Sequence, residues 1–108
     1  MKIRAFQGLR PNPEQAASVA SLPYDVVNTE EARKLTQGNP NSFLHVVRAE
    51  VDLPEGTDLY SDPVYSKAKE NLQALQDTGA LERESTACLY VYQLEMNGHQ
   101  QRGLVSVY

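Results

Sequence analysis

The spacing of apolar positions predicts one long amphipathic helix in the second half of the chain. Val64, Ala68, Leu72 and Leu75 follow one another at spacings of four, four and three residues, which places them on one stripe of a helix. Asp62-Pro63 is a typical helix start, and Gly79 closes the helix. We expect this stripe to pack against a sheet that contains residues 43–49 and the C-terminal hairpin.

Two shorter helices are predicted from the residues at their N-termini. Asn28 is followed three residues later by Glu31, the spacing of a capping box, and Gly38 then ends this helix. Asn12 stands directly before Pro13, which favours the first helical position, so we expect Asn12 to cap a short first helix.

Short alternating segments predict the strands. Residues 3–6 form a candidate first strand, and residues 43–49 are apolar on both faces, as in a central strand. Asn97-Gly98 between two strand-like segments predicts a hairpin with a two-residue turn, in which Tyr92 lies opposite Gly103. The order of elements indicates an α/β or α+β fold, with a mixed sheet, three helices and a C-terminal β-hairpin.

The length and charge of the chain indicate how many domains it has and which partners it lacks. The 108 residues predict a single domain, 1–108. A net charge of −4 with scattered basic residues argues against nucleic acid as a partner. No apolar segment approaches the roughly 20 residues that span a bilayer, so we expect no membrane partner and a cytoplasmic location. The single cysteine, Cys88, is interpreted as a small strand residue rather than a nucleophile.

The segment Pro23-Tyr24-Asp25 allows two interpretations. As a ligand site, Tyr24 supplies a hydroxyl and Asp25 a carboxylate on a rigid turn beside a helix N-terminus. As a structural turn, Tyr24 is a buried ring and Asp25 accepts hydrogen bonds from the amides near Asn28. We favour the structural turn over the ligand site, because no partner base, metal ligand or phosphate loop lies nearby in the sequence.

The remaining candidates are cationic or metal-binding side chains. Arg4, Arg10 and Arg48 would converge if their strands pair, and Arg48 would end a strand where α/β sheets bind ligands. Arg10 and Arg48 therefore join Tyr24 and Asp25 as candidates for binding a small anionic ligand. No metal site is predicted: His45 is expected to be a packed, hydrogen-bonded residue, and Asp52, Glu55 and Asp58 lack the spacing of a calcium loop. No cofactor is identified.

Four segments carry a family resemblance: "PYDVVNTEEARKL", "NPNSFLHVVRAEVDLPEGTD", "YSKAKENLQALQDTGAL" and "LYVYQLEMNGHQQRGLVSV". In order and spacing they resemble the N-terminal part of a prokaryotic family of uncharacterised proteins, the Domain of Unknown Function family numbered one thousand and fifteen. Because members of that family are several times longer, the resemblance implies that this chain is the N-terminal fragment of a longer protein. The apolar strand pattern at Val107-Tyr108 gives the same expectation.

The sequence is compatible with three hypotheses for the function of the chain. The first is a domain whose chemistry depends on downstream residues. The second is part of a phosphate-handling enzyme, by the family's distant likeness to ParB and sulfiredoxin-type folds, some of whose members are small-molecule kinases. The third is a protein-interaction module that uses the edge of the hairpin, through which the fragment would self-associate.

Overall fold

The computed structural model describes residues 2–108 and shows a mixed α+β fold. Four α-helices and four strands follow one another in these residues, with two 3₁₀ helices, Tyr24–Val26 and Ala49–Asp52. The helices are α1 (Ala16–Val19), α2 (Thr29–Thr36), α3 (Leu44–Val47) and α4 (Asp62–Asp77). The strands are β1 (Leu9–Pro11), β2 (Leu81–Arg83), β3 (Tyr90–Met96) and β4 (His99–Val105). They form two two-stranded sheets, β1 with β2 and β3 with β4.

The chain divides into two compact units. Residues 11–82 form one unit, here called the helical unit, and residues 2–10 with 83–108 form the other, here called the hairpin unit. All helices of the described chain lie in the helical unit, and both long strands lie in the hairpin unit.

Local signals account for the two main helices of the helical unit. Asn28 Oδ1 accepts from the Glu31 amide at 2.8 Å and Glu31 Oε1 accepts from the Asn28 amide at 3.4 Å, so the predicted capping box of α2 is confirmed. The predicted long helix is confirmed as α4, with Ser61 as its N-cap and a proline in its first turn.

The apolar side chains of the helical unit form two clusters. Leu75 of α4 packs with Val19, Ala80 and Leu81, and Phe43, Val46 and Leu72 cover this cluster in part. In the second cluster Leu44 packs with Val27 and Ala32. Burial of these side chains supplies the main favourable free energy of folding in this unit.

The prediction of a strand at residues 43–49 is wrong, because this segment forms α3 and a 3₁₀ helix. Side chains of the preceding turn start the helical conformation: Asn39 Oδ1 accepts from the Asn41 amide and Ser42 Oγ accepts from the Leu44 amide. The apolar residues that suggested a strand with two buried faces instead pack into the two clusters. Leu44 belongs to the cluster with Val27, and Val46 packs against the cluster around Leu75. The stripe of α4 therefore packs beside α3 and the second 3₁₀ helix, not against a strand from residues 43–49.

The N-terminal predictions also need correction. Residues 3–6 form no continuous strand: Arg4 and Phe6 make single bridges to Val107 and Cys88, and the first strand follows at Leu9–Pro11. Asn12 does not cap α1, since its Oδ1 accepts from the Glu14 amide and Gln15 takes the N-cap position.

The hairpin is confirmed with its predicted register. Tyr92 pairs with Gly103, Val91 with Leu104 and Gln93 with Arg102. Asn97 and Gly98 have φ of 53° and 77°, as a two-residue turn of this kind requires at both positions.

Candidate functional site

The segment that contains Tyr24 is a short 3₁₀ helix, Tyr24–Val26, preceded by extended backbone at Pro23. The prediction that Tyr24 is buried is wrong, since 61% of the residue is exposed. The prediction for Asp25 is also wrong: its side chain is exposed and accepts no hydrogen bond from residues 2–108, because Asn28 and Glu31 already serve the neighbouring amides. The turn is held by its main chain instead.

Arg48 holds this turn through main-chain carbonyls. Its Nε and Nη2 donate to the Tyr24 oxygen at 3.1 and 2.8 Å, and Nη2 also donates to the Val27 oxygen. Arg48 follows α3 and precedes a 3₁₀ helix, so the expectation that it ends a strand is wrong. The structure nevertheless brings together two predicted site residues that stand 24 positions apart in the sequence.

The partner of Arg48 is a buried carboxylate. Glu50 is 4% exposed, and its Oε1 accepts from Arg48 Nη1 and from Thr29 Oγ1, both at 3.3 Å. Its Oε2 accepts no hydrogen bond from the described residues. A buried carboxylate of this kind is stabilised by its cationic partner, and loss of that partner leaves an uncompensated charge.

A second arginine fixes the main chain around Glu50. Arg33 of α2 donates from Nη1 to the Val51 oxygen at 3.0 Å and from Nη2 to the Glu50 and Leu53 oxygens at 3.1 Å. These bonds give donors to the Val51 and Leu53 carbonyls and add a second donor to the Glu50 carbonyl, which already accepts from the Leu53 amide. Glu50 is therefore held from both its side chain and its backbone.

A groove of about 440 Å³ lies over the Arg48–Glu50 pair. Three tyrosines line it, Tyr24, Tyr60 and Tyr65, and the last two are 83% and 59% exposed. We call this feature the tyrosine groove. Its apolar lining includes Val46, Val64 and Ala68. None of the three tyrosine hydroxyls makes a hydrogen bond to residues 2–108, so each is free to donate or accept.

A second cleft, of about 530 Å³, lies beside His45, Asp52 and Asn71. His45 Nδ1 contacts Asp52 Oδ2 at 2.7 Å, and its Nε2 contacts the Asn39 carbonyl at 3.0 Å. Asn71 donates to the same Asp52 oxygen at 2.9 Å and to the His45 carbonyl at 2.7 Å. The prediction of a packed, hydrogen-bonded His45 is confirmed. Both ring nitrogens therefore lie within hydrogen-bond distance of an oxygen atom of the protein.

The other predicted residues do not join the tyrosine groove. Arg10 forms an ion pair with Glu84, and both residues belong to the hairpin unit, as does Arg4. Asp52 pairs with His45, and no group of His, Cys, Asp or Glu in residues 2–108 is arranged to hold a metal ion. None of the described helices combines the length and apolar character needed to cross a membrane.

Sequence reasoning missed Glu50, Tyr60, Tyr65 and Arg33. Glu50 stands two positions after Arg48, a spacing that brings the two side chains together here only because the 3₁₀ helix begins between them. Tyr65 falls next to Val64 on α4, and its helical spacing of three to Ala68 was an available signal for a shared surface.

Comparison with known proteins gives one match. A family model described as "Protein of unknown function (DUF1015)" matches residues 3–108. Neither curated proteins nor solved structures gave a match.

Proposed function

The chain belongs to the DUF1015 family, whose description assigns no function, and from the geometry of the site we propose that the helical unit is a ligand-binding unit. Its ligand is a small organic molecule, and the binding site is the tyrosine groove. The observation that carries this proposal is the buried Arg48–Glu50 pair beneath three exposed tyrosines.

Two features of the tyrosine groove support binding. First, Arg48 and Arg33 fix the floor through main-chain carbonyls, so little ordering is needed when a ligand arrives. Second, exposed tyrosine rings offer large, rigid contact surfaces with free hydroxyls, which is a common composition of binding sites.

A screen of small organic molecules by ligand-observed NMR, against the whole 108-residue chain, tests this proposal. We expect binders that compete with one another and that lose about ten-fold in affinity when Tyr60 and Tyr65 are both changed to alanine. The control is Tyr92→Ala, which removes a half-exposed tyrosine from β3. Binders that are insensitive to the Tyr60 and Tyr65 pair, or equally sensitive to Tyr92→Ala, would contradict it.

The phosphate-handling hypothesis has less support from these contacts. It depended on free arginine donors, whereas Arg48 makes four hydrogen bonds to protein oxygens. Arg10 is paired with Glu84. A guanidinium group that already satisfies carbonyls and a carboxylate has little capacity left for a phosphate group.

A second candidate function, self-association, is favoured by the hairpin. One face of the hairpin carries Tyr92, Leu94, Met96 and Val105, which are between 44% and 74% exposed. Contiguous exposed apolar surface of this kind is typical of protein–protein contacts. A second copy of the chain would cover it.

Light scattering at several micromolar concentrations tests the second candidate. We expect a mass above that of the monomer for the unaltered chain and a monomer for Leu94→Lys. Gln100→Lys is the matched control, because Gln100 lies opposite Glu95 on the other face of the hairpin. A strictly monomeric unaltered chain rules out this candidate.

A further inference from the structure

The charges around the tyrosine groove differ from those expected of an anion site. Its lining contains one cation, Arg48, and that guanidinium is occupied by Tyr24, Val27 and Glu50. No lysine is part of the lining. An incoming anion would therefore meet no unpaired cationic side chain among the described residues that line the groove.

Glu50 is a carboxylate in the lining of the tyrosine groove, and a carboxylate binds cations rather than anions. The residue lines the tyrosine groove although it is only 4% exposed, and its Oε1 is held by Arg48 and Thr29. Its Oε2 has no hydrogen-bond partner among residues 2–108. This oxygen is not fully buried, because it is absent from the described side-chain atoms that are both buried and unpaired. The lining of the tyrosine groove therefore contains a carboxylate with one oxygen that has no partner among the described residues.

Three aspartates stand close in the sequence to tyrosines of the groove. Asp25 is adjacent to Tyr24 in the sequence, and Asp58 and Asp62 stand two positions on either side of Tyr60. All three aspartates are exposed. Together with Glu50 they outnumber the single arginine, so the local potential favours a positively charged ligand.

We infer that the tyrosine groove binds an organic cation, a molecule with an alkylammonium or guanidinium group. The cationic group binds Glu50 Oε2, and the faces of Tyr24, Tyr60 and Tyr65 stabilise it through cation–π attraction. This inference rests on the proposed function of the same site, and it replaces the expected anionic ligand with a cationic one.

Three probes of similar size separate the charge of the ligand from its shape: benzylamine, benzyl alcohol and benzoate. Their binding to the whole 108-residue chain is followed by the NMR signals of the tyrosine rings. We expect benzylamine, which is cationic at neutral pH, to bind about ten-fold more tightly than benzyl alcohol, and benzoate to bind most weakly. Added salt should weaken the binding of benzylamine more than that of benzyl alcohol.

Two variants and one control assign the preference to the tyrosine groove. Glu50→Gln should reduce the ten-fold preference for benzylamine over benzyl alcohol to about two-fold or less, because glutamine keeps an oxygen acceptor for Arg48 but carries no charge. Should Glu50→Gln unfold the chain, Asp25→Asn provides the test, with an expected loss of about two-fold in the preference, since its exposed side chain has no structural contact. Glu95→Gln in β3 removes an exposed carboxylate elsewhere and should change nothing.

The outcomes separate this inference from the proposed function. If benzyl alcohol or benzoate binds as tightly as benzylamine, and the signals of Tyr60 and Tyr65 shift, the cation preference is overturned while the binding site stands. If none of the three probes shifts these signals at millimolar concentration, the cation inference is overturned, and the screen with the Tyr60 and Tyr65 variant then decides the proposed function. If the preference persists unchanged in Glu50→Gln, or in Asp25→Asn when Glu50→Gln does not fold, the inference is overturned as well.

Discussion

At the scale of single residues, two arginines of the helical unit act on the main chain. Arg48 and Arg33 together bond five carbonyl oxygens, which belong to Tyr24, Val27, Glu50, Val51 and Leu53. A planar guanidinium group with five N–H donors can bond several oxygens at once, which a lysine cannot do in the same geometry. The sequence singled out Tyr24 and Arg48 as separate candidates and did not predict their contact, because Arg48 bonds the main-chain oxygen of Tyr24 and no side-chain pattern reveals such an acceptor.

We expect Arg48→Ala to lower the free energy of unfolding by about 3 kcal/mol, because it leaves Glu50 buried without its cation and two carbonyls without donors. Urea denaturation followed by circular dichroism measures this change. The control is Lys34→Ala, which breaks the exposed Lys34–Glu30 pair and should cost at most about 0.5 kcal/mol. An Arg48→Ala variant no less stable than Lys34→Ala would show that these bonds contribute little.

At the scale of elements, the sequence predicted those whose signals are local. The capping box of α2, the proline start of α4 and the Asn97-Gly98 turn each fix the backbone through groups a few residues apart. Residues 43–49 were wrongly predicted to form a strand, because β-branched residues are compatible with a strand and with a helix. Their helical form depends on Leu44 and Val46 reaching two separate clusters, which is tertiary information.

For α4 we expect Leu75→Ala to cost about 2 to 5 kcal/mol, since Leu75 is 4% exposed and packs with Val19, Ala80 and Leu81. Leu35→Ala on α2, where Leu35 is 50% exposed, should cost less than about 1 kcal/mol. Both values come from chemical denaturation under one set of conditions. Similar losses in the two variants would mean that the apolar cluster around Leu75 is not a well-packed core.

At the scale of the whole molecule, burial is distributed unequally. Every residue of the described chain that is classed as buried, from Val19 to Leu81, lies in the helical unit. The hairpin unit has instead the β3–β4 ladder and the partly buried Phe6–Tyr90 contact, with ring centroids 4.8 Å apart. A two-stranded hairpin with little apolar burial is only marginally stable on its own.

We therefore expect amide hydrogen exchange to be at least about ten-fold faster in β3 and β4 than in the middle of α4. Local opening of the hairpin uncovers few buried contacts, whereas opening of α4 disrupts the cluster around Leu75. Exchange followed by NMR on the unaltered chain at low concentration measures both rates. Equal protection in the two units would show that the hairpin opens only when the whole chain unfolds.

The division of the chain also bears on the order of events during synthesis on the ribosome. The helical unit is one continuous segment, residues 11–82, whereas the hairpin unit needs residues 2–10 together with residues 83–108. Because translation proceeds from the N-terminus at roughly 5 to 20 residues per second, residues 11–82 are synthesised in full before residues 83–108, the second part of the hairpin unit. Residues 2–10, although synthesised before the helical unit, must wait for residues 83–108 of the unit to which they belong.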